Sequence, residues 1–254
     1  HLYMRLASTE IFSISKEVGH KMITGEYDAK AAYEAFNDQL VTPKENPETE
    51  VLFTQNTAYP IDMTEHGSAA ASSVLNALRA TYDADIAVGY SPIASTSIYC
   101  GDYSQQQLLW VMAGNYGVTQ GEYTGAELLQ MMEWLVNVKD NGANPIRHRS
   151  FMPVTSGMEY KVTEYERGRF RLEEVTVNGA ALDEAATYTV FVAGTDVWVE
   201  DESFCNCPMP ENLKTKRMDY AIEGADSRSC LTESLTNSKQ FPAPTDYLTI
   251  VQGA

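Results

Sequence analysis

Residues 158–192 read MEYKVTEYERGRFRLEEVTVNGAALDEAATYTVFV, and this stretch decides the fold class. Its hydrophobic pattern changes from the helical period to one typical of strands. Asn178 and Gly179 form a dipeptide that favours a tight hairpin turn. The sequence therefore predicts strands over residues 158–162, 170–177 and 188–192, with a hairpin turn after the second of them.

The chain before this stretch has mostly helical periodicity. We predict helices over residues 16–41, 68–80, 104–112 and 125–138, with short strands at 51–53 and 85–88. Thr124 is the expected N-cap of the helix at 125–138. Because helices and strands are mixed without strict alternation, the sequence predicts an α+β fold, a mixed sheet with flanking helices.

The chain after this stretch is less regular. Residues 203–226 are polar and contain two prolines, so we expect irregular structure there. A short helix at 229–235 and a closing strand at 247–251 follow. The best linker candidate is the polar segment 56–67. We therefore assign residues 1–60 to an N-terminal helical and linker segment and residues 61–254 to the main domain, with a divergent cysteine-containing tail from about residue 205.

Composition and charge exclude several classes of function. The 254 residues include 18 Lys and Arg against 35 Asp and Glu, giving a formal net charge of −17. Such a chain repels phosphate backbones and anionic membrane surfaces, which argues against nucleic-acid binding. No apolar run reaches the ~18 residues that a membrane span needs. The chain begins at His1 rather than Met, which is compatible with an excised fragment.

The four cysteines are Cys100, Cys205, Cys207 and Cys230. Cys205 or Cys207 could pair with Cys230 and close a loop of roughly 25 residues, contributing on the order of 3 kcal/mol in the chain-entropy model. Because no C-x-x-C pair is present, the pattern favours a disulfide or plain buried thiols over a zinc site.

The sequence contains few recognisable catalytic motifs. The four histidines, His1, His20, His66 and His148, form no H-E-x-x-H or D-x-H pattern. No G-x-S-x-G elbow and no phosphate-binding glycine loop is present. A hydrolase acting through its own Asp and His side chains is therefore the least favoured interpretation.

Several short motifs follow one another in a recognisable order. They are SAAASSVLNALRA at 68–80 with ADIA at 84–87, SIYCGDYS at 97–104, YTGAEL at 123–128, SGMEY at 156–160, and VTVNG at 175–179 with LD at 182–183 and YTV at 188–190. Each motif alone is weak. Together, over roughly residues 65–204, they resemble the C-terminal domain of the 5′-nucleotidase family, whose motifs include S-I-x-x-G-D-I-T, L-T-G-x-x-L, S-G-L-x-Y and V-x-V-N-G.

The resemblance implies that substrate binding and ester cleavage belong to two different domains. In the family, an upstream metallophosphoesterase domain holds two metals and cleaves the phosphate ester, while the C-terminal domain binds the nucleoside part and rotates it into the catalytic site. The upstream metal-ligand motifs are absent from this chain. We therefore expect a substrate-binding domain that is inactive alone and holds no cofactor, with divalent metals only in an upstream partner domain. Because the family is commonly exported, we expect an extracellular, cell-surface or periplasmic location, which also suits a disulfide.

Three segments depart from the family pattern at the expected ligand site: residues 90–95 (YSPIAS), 113–116 (AGNY) and 195–201 (TDVWVED). Ser95 stands where the family has a phosphate-facing Arg, and Tyr116 is the candidate replacement for a missing base-stacking Phe. We predict that the segments converge on one pocket whose ligand-binding residues are Tyr90, Ser95, Asn115, Tyr116, Trp198 and Asp201.

The lost Arg and the acidic net charge predict that an uncharged nucleoside or sugar binds better than its phosphate. The alternative is a non-catalytic binding or scaffold module that kept the fold and lost nucleotide recognition.

Overall fold

The computed structural model describes residues 50–89, 93–112, 114–137, 152–167, 169–194 and 209–253, all within a compact unit that starts at Pro47. The strands are β1 (Val51–Gln55), β2 (Met63–Thr64), β3 (Gly67–Ser68), β4 (Ile86–Gly89), β5 (Gly101–Ser104), β6 (Gly117–Thr124), β7 (Val154–Ser156), β8 (Met158–Glu166), β9 (Arg169–Val177), β10 (Ala180–Ala181), β11 (Thr187–Ala193), β12 (Ala221–Asp226) and β13 (Leu248–Gln252). The helices are α1 (Ala69–Thr81), α2 (Gln105–Val111), α3 (Gly125–Asn137), α4 (Glu211–Asp219) and α5 (Ser227–Ser238).

The central sheet has five strands in the order β12-β6-β11-β4-β7. Strands β11 and β4 are parallel, and the other neighbours are antiparallel. A second sheet has the order β10-β9-β8-β13, in which β13 runs parallel to β8. Helices flank these mixed sheets, so the predicted α+β fold is confirmed.

Local sequence signals determine several boundaries. The Thr124 hydroxyl accepts from the Glu127 N–H at 3.2 Å, and the Glu127 carboxylate accepts from the Thr124 N–H at 2.8 Å. This reciprocal capping fixes the start of α3 and confirms the predicted N-cap. Asn178 and Gly179 have positive φ angles of 51° and 77°, so they form the predicted hairpin turn, which connects β9 to β10.

The serine-rich face of α1 holds the C-terminal segment by hydrogen bonds. The Ser72 hydroxyl donates to the Thr245 carbonyl at 2.8 Å, and the Ser73 hydroxyl donates to the Pro242 carbonyl at 2.7 Å. The Asn76 amide donates to the Ala243 carbonyl at 2.9 Å. The aliphatic side chains of α1, among them Val74, Leu75 and Leu78, are buried, and the helix packs on β4, β7 and α5. The helix therefore joins the chain terminus to the central sheet.

The expected domain boundary at residue 60 does not separate two units among the described residues. Strand β1 pairs with β5, and the Phe53 ring stacks on Tyr103 with a centroid distance of 5.3 Å. Tyr59 forms a β-bridge with Ile98. Residues 51–59 are therefore part of the main unit. The predicted helix at 16–41 lies outside the described residues.

The expectation of irregular structure over residues 203–226 is wrong for its second half. Helix α4 and strand β12 lie there, and β12 pairs with β6. The Lys216 ammonium forms a 2.6 Å ion pair with Glu127 and donates to the Glu122 carbonyl at 2.9 Å. These contacts join α4 to the start of α3 and the end of β6, and a local sequence pattern does not reveal them.

No helix among the described residues is both long enough and apolar enough to cross a membrane.

Candidate functional site

Two parallel strands, β4 and β11, end side by side at one edge of the central sheet, and each is followed in the sequence by a predicted ligand segment. Gly89, the last residue of β4, is paired with Ala193, the last residue of β11. The segment 90–95 follows the first strand, and the segment 195–201 follows the second. Because the strands are parallel neighbours, Gly89 and Ala193 lie at the same edge of the sheet.

The third segment reaches the same edge from the opposite direction. Strand β6 is antiparallel to β11, and Val118 is paired with Ala193. The Gly194 N–H donates to the Gly117 carbonyl at 3.1 Å. The loop that ends at Tyr116 therefore enters the sheet beside the point where β11 ends. The residues that flank the three segments therefore lie close together in the sheet, and the convergence of the segments on one pocket stays a prediction.

Ser95, which is predicted from the sequence to stand at the family's Arg position, is exposed and tied to the end of α2. Its N–H donates to the Val111 carbonyl at 2.6 Å. This bond connects the segment after β4 with the loop before β6. The site therefore presents a short neutral side chain where an arginine is expected.

Tyr116 is half-buried and braced by the start of α5. Its N–H donates to the Ser227 hydroxyl at 3.0 Å, and its carbonyl accepts from the Ser227 N–H at 2.9 Å. A Cβ at Gly114 would lie only 2.0 Å from the Tyr116 ring. The ring therefore rests on the loop backbone, and glycine at 114 is required for this close approach.

Asn115 is exposed, and its side chain hydrogen-bonds to the Asp226 carboxylate. Partial burial acts to raise the pKa of Asp226. Hydrogen bonds from the Ser229 N–H and from Asn115 outweigh this effect, so the pKa is lowered. The Arg228 guanidinium Nε donates to the Met112 carbonyl at 3.1 Å. Residues at the start of α5 therefore hold the loop between α2 and β6 by hydrogen bonds.

The sequence analysis missed this support because it began the last helix at residue 229. A signal was present, since Asp226 and Ser229 have the spacing of an N-terminal capping pair.

Three of the predicted ligand residues, Tyr90, Trp198 and Asp201, lie outside the described residues. Ser95 is tied to the end of α2, and Asn115 and Tyr116 are tied to the start of α5; the ligand-binding roles of all six residues stay predictions.

Cys230 is buried, and its sulphur lies 2.8 Å from the Tyr82 hydroxyl. Burial raises the pKa of this thiol. Burial also raises the pKa of Tyr82, to which the contact with Cys230 adds. Cys230 is a free thiol in this structure, and Cys205 and Cys207 lie outside the described residues, so a disulfide of Cys230 with either of them stays a prediction. The exposed Cys100 thiol donates to the Asn56 carbonyl at 3.3 Å.

Within the described ranges, no group of three or more His, Cys, Asp and Glu side chains is arranged to hold a metal ion. In the described part of the chain, the His66 imidazole lies 3.9 Å from the Glu65 carboxylate, and both side chains are more than half exposed. His148 lies outside the described residues.

Comparison with known proteins identifies the same domain that the motifs indicated. The family model for the 5′-nucleotidase C-terminal domain matches residues 49–195. No curated protein sequence matches the chain significantly.

Solved structures match at low sequence identity. The 5′-nucleotidase precursor from Thermus thermophilus superimposes with a TM-score of 0.61 at 19% identity, covering 90% of this chain and 44% of the other. The NAD nucleotidase from Haemophilus influenzae gives a TM-score of 0.61 at 14% identity, covering 90% and 42%. The sulfate thiohydrolase from Thermus thermophilus gives 0.60 at 17% identity, covering 86% and 38%. The chain thus spans less than half the length of these proteins, which share its fold.

Proposed function

The chain belongs to the 5′-nucleotidase C-terminal domain family, and from this premise we propose that it is the substrate-binding domain of a 5′-nucleotidase-like phosphoester hydrolase. In this proposal the chain binds the nucleoside part of the substrate and does not cleave the ester itself. An upstream metallophosphoesterase domain holds the divalent metals and carries out the cleavage.

The arrangement of three strands at one edge of the central sheet carries the proposal. The ends of β4 and β11 lie side by side there, and β6 begins beside them, so the three sequence segments next to these strand ends start or finish at one place. A ligand there would meet side chains from three distant parts of the sequence. Tyr116 supplies an aromatic surface, Asn115 supplies an amide, and Ser95 stands at the position that would face a phosphate.

We propose that the preferred ligand is an uncharged nucleoside. Ser95 offers a hydroxyl where a guanidinium would pair with a phosphate, and the net charge of −17 opposes any dianion that approaches the site. The carboxylate of Asp226 next to Asn115 adds local negative charge. Tyr90, Trp198 and Asp201 complete the proposed site.

A second candidate function is a scaffold module that has lost nucleotide recognition. Two observations favour it: the Asn115 side chain is hydrogen-bonded to Asp226, and the Tyr116 ring rests on the backbone at Gly114. Both side chains therefore already have partners within the chain. For a ligand to bind, it must replace or share these contacts.

We also propose that the protein works outside the cytoplasm, at the cell surface or in the periplasm, and that Cys230 forms a disulfide with Cys205 or Cys207 there. An oxidising compartment would preserve such a bond.

The test of the binding role is an NMR titration of the isotope-labelled chain with adenosine. We expect saturable shifts at Ser95, Asn115 and Tyr116, and their loss in Tyr116→Leu. Tyr165→Leu is the matched control, because Tyr165 is 55% exposed on β8. The absence of saturable shifts at these residues would contradict the proposal and favour the scaffold.

The test of the catalytic assignment is phosphate release from AMP by the purified chain with added Mn²⁺ or Zn²⁺. We expect no release above the blank. Metal-dependent turnover would show that the chain is itself a hydrolase.

A further inference from the structure

A solvent-open groove with a volume of about 500 Å³ lies between α2 and α5. Gln105 and Leu109 line it from α2, and Thr232, Thr236 and Asn237 line it from α5. Its volume falls within the range of ~300–1,000 Å³ that is typical of small-ligand sites.

Both helices contribute hydrogen-bonding side chains to the lining. Gln105 and Leu109 are four residues apart, as are Thr232 and Thr236, so each pair lies on one face of its helix. Neighbouring helices usually close on each other through aliphatic side chains. Among the described lining residues, Leu109 is the one aliphatic side chain, and the others carry amide, hydroxyl or charged groups. The groove therefore offers hydrogen-bonding side chains next to apolar surface.

The charged groups of the groove oppose an anionic ligand. Asp226 and Glu233 contribute two carboxylates, and Arg228 contributes one guanidinium. The Arg228 Nε already donates to the Met112 carbonyl. A phosphate or carboxylate would meet net negative charge here, whereas a neutral ligand with several hydroxyl groups could both donate to and accept from the lining.

We propose that the α2–α5 groove is a binding site for a small neutral ligand with several hydroxyl groups, of the size of a monosaccharide. The hydroxyls of Thr232 and Thr236 and the amides of Gln105 and Asn237 exchange hydrogen bonds with it, and Leu109 contacts the carbon face of the ring. Of the residues proposed for the nucleoside site, Asn115 is the one that also lines the described part of the groove. The proposal of a ligand in the groove therefore does not depend on the proposed function.

Three probes that share one ring test the chemistry: glucose, glucose 6-phosphate and glucosamine, titrated into the isotope-labelled chain and followed by NMR. We expect saturable shifts in α5 with glucose. Glucosamine should bind at least as tightly, and glucose 6-phosphate about tenfold more weakly because of charge repulsion. Saturable binding that is tightest for glucose 6-phosphate, or no saturable shift with glucose, would overturn the proposal.

Matched variants locate the site. The double variant Thr232→Val with Thr236→Val removes two hydroxyls at nearly constant shape, and we expect it to bind glucose at least about fivefold more weakly. Thr249→Val on the exposed side of β13 is the control and should bind normally. Thr236→Ser retains the hydroxyl and should also bind normally, which separates a lost contact from a disturbed helix.

Adenosine titrated into the double variant distinguishes the two sites. We expect its shifts at Ser95 and Tyr116 to be unchanged. Normal glucose binding by the double variant would overturn the assignment to this groove, whatever the outcome with adenosine.

Discussion

Removing one hydroxyl from Tyr247 should destabilise the domain measurably. This side chain is only 1% exposed, and its hydroxyl accepts from the Ser68 N–H at 3.0 Å. Ser68 is the N-cap of α1 and is itself 4% exposed. Tyr247→Phe leaves the ring in place over Gly67 but removes the acceptor, so a buried N–H loses its partner. Such a loss costs about 1–3 kcal/mol.

In a domain of this size each kcal/mol lowers Tm by ~2–4 °C, so Tyr247→Phe should lower it by ~2–12 °C. The measurement is thermal unfolding followed by circular dichroism or calorimetry. Tyr165→Phe is the control, because this tyrosine is 55% exposed and its change should stay within about 0.5 kcal/mol. Equal Tm values for the two variants would refute the argument that the C-terminal segment is held to α1 through this hydroxyl.

Three other predictions concern stability, specificity and the cysteines. The pKa of Glu127 is lowered from 4.5, because hydrogen bonds from Lys216 and Thr124 outweigh its partial burial. The ionised carboxylate therefore stabilises the folded state above pH 4.5, and this stabilisation is lost as the pH falls through the folded-state pKa. In urea unfolding, Glu127→Gln should therefore cost more stability at pH 7 than at pH 3, and an equal cost at both would contradict this. Ser95→Arg should raise the affinity for AMP about tenfold relative to adenosine in calorimetry, whereas an unchanged ratio would remove Ser95 from the phosphate position. Thiol counting under denaturing, non-reducing conditions should find two free thiols, and four would exclude the disulfide at Cys230.

The parts of the fold that the sequence predicted are those with local signals. Thr124 and Glu127 are three residues apart and cap α3 reciprocally, while Asn178 and Gly179 adopt the positive φ angles that their residue types favour. Such contacts lie within a few residues, so a pattern can reveal them without knowledge of the tertiary structure.

Helix α4 and strand β12 were not predicted because contacts distant in sequence stabilise them. Lys216 pairs with Glu127, which is 89 residues away, and its ammonium lies 5.1 Å from the centroid of the Tyr123 ring. The Tyr220 ring packs so closely on Gly121 that a Cβ there would lie 2.0 Å from it. No local periodicity encodes these contacts.

In the candidate site, too, the sequence predicted features with local signals and did not predict contacts between distant residues. The order of motifs predicted the three ligand segments, and the pairing of β4, β6 and β11 places the residues next to these segments side by side, while the role of the segments in binding stays a prediction. The support that Tyr116 receives from Ser227 joins residues 111 positions apart, and the sequence alone could not reveal it. The hydrogen bond between Asn115 and Asp226 is equally distant in sequence and changes what the Asn115 amide can offer a ligand.

We propose that this chain binds the nucleoside part of a substrate through a site that has lost its phosphate contact. Calorimetric titration of the purified chain with adenosine and with AMP, in the same buffer and at the same ionic strength, tests this proposal most directly. We expect saturable binding of adenosine that is tighter than the binding of AMP. Tighter binding of AMP, or no binding of either ligand, would contradict it.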